Sequence, residues 1–171
     1  MSTPPTPGQT IGPFFGYSLP YDGGPDLVPL GRAGAVRLHG RVLDGAGEPV
    51  PDALVELWQT DPSGAVVQQP GSLHRDGWTF TGWGRAASDA TGHYSFTTLL
   101  PGGPFFALTV FARGLTHRLF TRAYIADDPF LDTVAADRRH TLRAAPEDGG
   151  FGFDIRLQGE DETVFLRFPR H

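Results

Sequence analysis

The residues best suited to ligate a metal or move a proton are six histidines, and their spacing gives no metal site. No two of them are separated by the single residue that would put both side chains on one face of a strand. A surface or hydrogen-bonded position is therefore the favoured interpretation for each, and ligation is the alternative. The six are His39, His74, His93, His117, His140 and His171.

Glu56 is a carboxylate inside an apolar run, between Val55 and Leu57. Two hypotheses remain open for it: a general base, or the ion-pair partner of an arginine on a neighbouring strand. The ion pair is favoured, because buried charges normally persist by pairing. No Gly-x-Ser-x-Gly turn or phosphate loop occurs, and residues 82–84 (GWG) lack the strand-to-helix setting of a dinucleotide site.

Composition narrows the classes of protein further. The 171 residues contain no cysteine, which excludes disulfide scaffolds, thiolate metal sites and cysteine nucleophiles. A net charge of −5 with scattered arginines argues against nucleic-acid binding. No window approaches the roughly 18 apolar residues of a membrane span, and no leader pattern opens the chain. We expect a cytoplasmic protein, and the absence of lysine and asparagine suggests a GC-rich bacterial genome.

The elements that must position any site are mostly short strands. Apolar and polar residues alternate over 35–43, which is the pattern of a half-buried strand. Turn sequences then separate further predicted strands at 53–59, 79–83, 94–99, 105–112, 119–125, 139–144, 151–157 and 163–168. One short helix is predicted near 129–136. We expect an all-β chain with little helix: a single domain, 1–171, with an extended, proline-rich arm at 1–34 and a β-sandwich core at 35–171.

Several segments, in order, are similar to one enzyme family. They are residues 9–14 (QTIGPF), 38–42 (LHGRV), 47–59 (GEPVPDALVELWQ), 111–114 (FARG), 121–124 (TRAY), 153–160 (FDIRLQGE) and 162–165 (ETVF). The chain resembles the intradiol ring-cleavage dioxygenases, and in particular the α-type subunits of their two-subunit members. This resemblance implies a prealbumin-like β-sandwich.

The resemblance also implies where iron would be held, and this sequence departs from the pattern there. Iron-bearing members hold Fe(III) with two tyrosines and two histidines. The first tyrosine position is Val66 here, and the histidine positions align with Phe105 and Ala107. No tyrosine or histidine occurs anywhere in 99–116, where the second tyrosine also belongs. The resemblance therefore implies that this chain binds no metal, that an iron-bearing β subunit holds the Fe(III), and that αβ units assemble into a higher oligomer.

Three residues resemble the positions at which such a subunit borders its partner's pocket: Thr10, Pro13 and Arg113. The implied substrate, protocatechuate, carries a carboxylate that Arg113 would attract. The implied reaction uses O2 to open the ring between the two hydroxyl carbons, giving 3-carboxy-cis,cis-muconate, and this chain alone has no catalytic residue. Arg113 as a cap of its own turn or a bridge across the interface, and Thr10 as a simple hydrogen bond of the arm, stay open as alternatives.

Three functions are consistent with the sequence. The first is the enzyme subunit just described. The second is a non-enzymatic β-sandwich binding module, which would share the pattern of residues 40–58. The third is a dioxygenase that is active by itself with unusual ligands.

Overall fold

The computed structural model describes residues 12, 15–67, 69 and 75–168, and nearly all regular structure there is β. The strands are β1 (Ala35–Leu43), β2 (Leu54–Trp58), β3 (Trp83–Ala87), β4 (His93–Leu99), β5 (Phe105–Phe111), β6 (Leu119–Tyr124), β7 (Ala145–Glu147), β8 (Gly150–Gly152) and β9 (Ile155–Arg156). Two short α-helices, α1 (Phe15–Ser18) and α2 (Pro129–Thr133), and a 3₁₀ helix (Arg139–Leu142) accompany them. The expectation of an all-β chain with little helix is confirmed.

The strands form two sheets. The first has the order β4-β1-β8-β7, with β9 pairing parallel to β1, and the second has the order β3-β2-β5-β6. One hydrophobic core contains residues from both sheets, because alternate side chains of each half-buried strand point inward. Its fully buried members include Leu38, Phe96, Val55, Phe106 and Leu108.

Tyr94 is a polar anchor inside this core. Its side chain is 1% exposed, and its hydroxyl donates a 2.6 Å hydrogen bond to the Phe153 carbonyl oxygen. Burial raises the pKa of this phenol well above its ordinary value, so the group is neutral and able to donate. Neighbouring His93 lies on the opposite face of β4 and is only half-buried, as the alternation predicts.

The structure also corrects several predicted strands. The third strand occupies 83–87 rather than 79–83, because the Asp76 carboxylate accepts bonds from the backbone of Trp78 and Thr79 and so builds a turn there. Residues 139–142 form a 3₁₀ helix, since the Arg139 guanidinium bonds back to the Val134 carbonyl. Residues 163–168 contribute only an isolated bridge, Leu166 to Phe120.

The described part of the N-terminal segment packs onto the second sheet. Leu27 is 2% exposed, and a side-chain carbon built on Gly84 of β3 would lie 2.4 Å from the Leu27 Cδ1 atom. Glycine is therefore required at 84, because the Leu27 side chain fills the space beside β3. The bridge between Asp26 and Thr97 ties the same segment to β4.

Candidate functional site

The positions that resemble lost iron ligands lie on the outer face of the second sheet, at the end where β5 begins. Phe105 and Ala107 alternate with the buried residues Phe106 and Leu108, so their side chains share the face turned away from the core. Ala107 stands opposite Trp58 on one side and Arg122 on the other. The two aligned positions thus meet one surface, as ligands on one strand would.

Val66, the third of these positions, follows a turn that adjoins the start of β5. The Asp61 carbonyl accepts hydrogen bonds from the Gly64 and Gly102 amides, each at 2.9 Å, which joins the two segments. The Asp61 carboxylate accepts from the Ser63 hydroxyl and from the Ser63 and Ala65 amides. The Ser63 hydroxyl bond is the main cause that lowers the pKa of Asp61. The Val66 side chain is 75% exposed.

An arginine and aromatic rings occupy this end of the outer face. The Arg122 guanidinium lies 4.2 Å from the centre of the Phe105 ring and 5.3 Å from that of Phe130. It donates a 3.0 Å hydrogen bond to the Tyr124 hydroxyl. Within the described residues Arg122 has no carboxylate partner, so its charge is stabilised by ring faces and one phenol.

This arrangement does not fit an iron ion. Val66, Phe105 and Ala107 present only hydrocarbon, which has no lone pair to offer Fe(III), and the charged group beside the Phe105 ring is itself a cation, Arg122. No group of three or more histidine, aspartate or glutamate side chains with metal-binding geometry occurs in the described part of the chain. We name this region, made of Val66, Phe105, Ala107 and Arg122, the hydrocarbon end of the sheet.

At the opposite end of the same sheet lies Arg113, in the turn that follows β5. Its Nε atom is 3.1 Å from the Asp52 Oδ2 atom, and its side chain is 54% exposed. Leu54 of β2 stands opposite Phe111 of β5 at the end of the ladder, and Asp52 and Arg113 each lie two residues beyond that pair, in the turns that flank the strands. We name Asp52 and Arg113 the charged end of the sheet.

Asp52 has an unusual backbone for its residue type. Its φ is 60°, and it is the only described non-glycine residue with a positive φ. Its Oδ1 atom is buried and has no hydrogen-bond partner among the described residues. Ser88 holds the turn: its hydroxyl accepts from the Ala53 amide and donates to the Val50 carbonyl, both at 2.8 Å.

Between the two ends, Glu56 of β2 pairs with Arg85 of β3. The Arg85 Nη2 atom is 2.6 Å from the Glu56 Oε1 atom, and both side chains are about 15% exposed (16% and 15%). The ion-pair hypothesis for Glu56 is confirmed. Arg85 also donates to the Leu19 carbonyl and lies 5.2 Å from the Trp83 ring centre, so the pair connects the sheet to the N-terminal segment.

Thr10 and Pro13 lie outside the described residues. Helix α1 passes over the charged end: a side-chain carbon built on Gly16 would lie 3.2 Å from the Asp52 Cβ atom. Arg113 is the one predicted substrate-binding residue that the structure describes.

Comparison with known proteins identifies the family. The dioxygenase family model matches residues 12–106. The protocatechuate 3,4-dioxygenase alpha chain of Burkholderia cepacia is 37% identical, over 94% of this chain and 96% of that one. The chain belongs to the intradiol ring-cleavage dioxygenase family. Members of this family depend on iron.

Other members of the intradiol family extend the comparison. The protocatechuate 3,4-dioxygenase beta chain of Burkholderia cepacia is 34% identical, over 81% of this chain and 70% of its own length. The dioxygenase domain of a dioxygenase and carbohydrate-binding fusion from Streptomyces sp. SirexAA-E matches with a TM-score of 0.59 and 25% identity, over 91% of this chain and 99% of that one. The comparisons give no support to the binding-module hypothesis.

Two histidines that were considered separately lie together. His39 and His93 have ring centres 5.7 Å apart, and the His39 Nε2 atom is 2.8 Å from the Glu147 Oε2 atom. Burial and the nearby Arg37 guanidinium lower the pKa of His93, which favours its neutral form. His93 is bonded to Arg37 and His39 to Glu147, and in the described residues the two histidines belong to no group of three or more metal-binding side chains.

Sequence reasoning missed Asp52 and Arg122 as features of the two ends. Both stand in segments that carry the family resemblance, yet Asp52 reads as a turn residue and Arg122 as an alternating strand residue. The one available signal is aspartate directly before Ala53, since aspartate tolerates a left-handed backbone.

No described helix is long and apolar enough to cross a membrane.

Proposed function

We propose that this chain is the non-iron-binding α subunit of a protocatechuate 3,4-dioxygenase, and that an iron-bearing β subunit completes the enzyme. The observation that carries the proposal is the near full-length match to an α chain: 37% identity, with 94% of this chain and 96% of the relative covered. The similar identity seen over a shorter part of a β chain, 34%, fits two subunits that share one fold.

The hydrocarbon end supports the division of labour between the subunits. Three positions that resemble the iron ligands of iron-bearing family members are valine, phenylalanine and alanine here, and a guanidinium stands beside the last two. A cation next to the site would repel Fe(III) even if a donor were supplied. Iron therefore belongs to the β subunit in this proposal, and protocatechuate and O2 react there.

The task of this chain is to enclose the β subunit's pocket and bind the substrate carboxylate. Arg113 supplies the positive charge, and Thr10 and Pro13 supply the wall from the arm. The reaction adds one molecule of dioxygen to one of protocatechuate, so both oxygen atoms enter the product and no reductant is required. Guanidinium and carboxylate form charge-assisted hydrogen bonds, which gain strength where water is excluded. The complex, an oligomer of αβ units, is expected in the bacterial cytoplasm.

Co-expression tests the proposal. The chain is purified alone and together with the β subunit encoded with it, and iron content, visible colour from tyrosinate-to-iron charge transfer and O2 uptake with protocatechuate are measured. We expect iron, colour and activity only in the complex. Stoichiometric iron in the lone chain would refute the assignment of the metal to the partner and revive the active homomer. Failure to bind any β subunit would instead favour the binding module.

A further inference from the structure

Asp52 combines two unfavourable features, one in its carboxylate and one in its backbone. Its Oδ1 atom is buried without a hydrogen-bond donor among the described residues, and its backbone has a φ of 60°. A buried acceptor without a donor costs free energy, and a left-handed backbone costs more for aspartate than for glycine. Two costs at one residue indicate a role beyond the stability of the turn.

The residues around Asp52 hold its carboxylate in place beside Arg113. The last pair of the β2 and β5 ladder, Leu54 with Phe111, brings the flanking turns together, and the Asp52 Oδ2 atom is 3.1 Å from the Arg113 Nε atom. The Ser88 hydroxyl fixes the backbone on both sides of Asp52, through the Ala53 amide and the Val50 carbonyl. The carboxylate is thus anchored on the sheet, and the arginine on the neighbouring turn pairs with it.

The contact uses one edge of the guanidinium and leaves another for a ligand. The Nε atom pairs with Asp52, while the Nη1 and Nη2 atoms have no hydrogen bond to any described residue. A carboxylate ligand needs two parallel N–H groups, which the two Nη atoms provide together. An unanchored arginine would have to lose more side-chain rotamer entropy on binding than one that is already held by an ion pair.

We propose that Asp52 is a positioning residue that orients the Arg113 guanidinium toward the carboxylate of the aromatic substrate. This inference rests on the proposed function of Arg113. Gly16 of α1 also lies beside the Asp52 Cβ atom, so the same aspartate contacts the described N-terminal helix.

The test uses Asp52→Asn in the αβ complex. Asparagine keeps the shape and accepts a positive φ, but it carries no charge to pair with Arg113. We expect the KM for protocatechuate to rise about two- to fivefold, which is the range of an exposed ion pair, with kcat and iron content unchanged. The KM for a catechol without a carboxylate should not change, and a purely structural role of Asp52 would not distinguish the two substrates.

A double-mutant cycle completes the test. Arg113→Ala alone and Arg113→Ala with Asp52→Asn should give the same KM, because the aspartate acts only through the arginine. An unchanged or lowered KM in Asp52→Asn, while Arg113→Ala raises it, overturns the positioning role and leaves the proposed function intact. No effect of Arg113→Ala itself refutes the role of Arg113. Asp52→Gly, which tolerates φ of 60° without strain, separates loss of charge from backbone effects: it should match Asp52→Asn in KM.

Discussion

The hydrocarbon end and the charged end of the second sheet share one strand and have opposite chemistry. Phe105 and Ala107 begin β5, and Arg113 follows its last residue. Arg113 lies six positions after Ala107, which is about 20 Å along an extended chain. At the first end a guanidinium rests on aromatic rings without a carboxylate among the described residues. At the second end, a guanidinium pairs with the carboxylate of Asp52, a residue whose backbone is in the unfavourable left-handed region.

This difference teaches that the backbone pairing of the sheet does not depend on a metal site. The β2 and β5 ladder runs without interruption between the two ends, with valine, phenylalanine and alanine at the positions that resemble iron ligands. Arg122 can remain on ring faces, because a cation over an aromatic ring is attracted by the ring's quadrupole. A polar pair is kept only at the end that, in the proposed enzyme, faces the partner's iron.

Glu56→Ala tests whether the middle of the sheet supports both ends, and it has the largest expected effect. It leaves Arg85, 16% exposed, without its carboxylate. We expect a loss of about 3 kcal/mol in the free energy of unfolding of the complex, measured with urea, because an uncompensated, largely buried charge remains. Glu56→Gln, which keeps the shape and one acceptor, should lose less. A change below about 1 kcal/mol for both would mean that water replaces the carboxylate.

Arg113→Ala compares the two arginines directly. We expect the KM for protocatechuate to rise about tenfold with iron content and kcat unchanged, because a charge-assisted contact to the substrate is lost. Arg122→Ala is the matched control at the other end of β5, and it should leave the KM unchanged. Steady-state O2 uptake measures both variants. Equal effects of the two substitutions would contradict the distinction between the ends.

Arg122→Ala should instead affect stability. Loss of the guanidinium from the Phe105 and Phe130 rings is expected to lower the free energy of unfolding by about 1 kcal/mol. Arg122→Lys retains the charge without the planar stacking, so its free energy of unfolding should lie between those of the unsubstituted protein and Arg122→Ala. Iron content of the lone chain should stay at background in both variants, since no lone-pair donor has been added at residues 66, 105 and 107. Iron uptake by Arg122→Ala would show that the guanidinium, rather than the missing donors, excludes the metal.

The smallest expected effect concerns the turn before Val66. The Asp61 pKa is lowered from 3.8, so the stabilisation that this carboxylate gives is fully present above pH 3.8 and is lost as the pH falls through the lowered pKa. Ser63→Ala removes the main cause and should move the NMR titration midpoint of Asp61 up toward 3.8. Activity of the complex should not change. A midpoint unaffected by Ser63→Ala would show that the backbone amides alone hold the carboxylate.

The sequence predicted much of the fold because its signals are local. The alternation over 35–43 gave β1 with its observed ends, and four further strands were found to within two residues. The strands at 79–83, 139–144 and 163–168 were wrong. Their backbones are directed by side chains, such as Asp76 and Arg139, that bond to the main chain a few residues away. Strand propensity does not account for such side-chain to backbone bonds.

The features of the candidate site also fall into those that the sequence predicts and those that only the structure shows. The sequence by itself predicts that metal donors are missing at residues 66, 105 and 107, because valine, phenylalanine and alanine cannot ligate iron in any fold. It also offered Arg113 through the family resemblance. Only the tertiary structure decided that Asp52 pairs with Arg113 and that Arg122 rests on Phe105, since each contact joins residues that are separated in the chain and brought together by the pairing of β5 with its neighbours. Register is a property of two strands together, and no single segment encodes it.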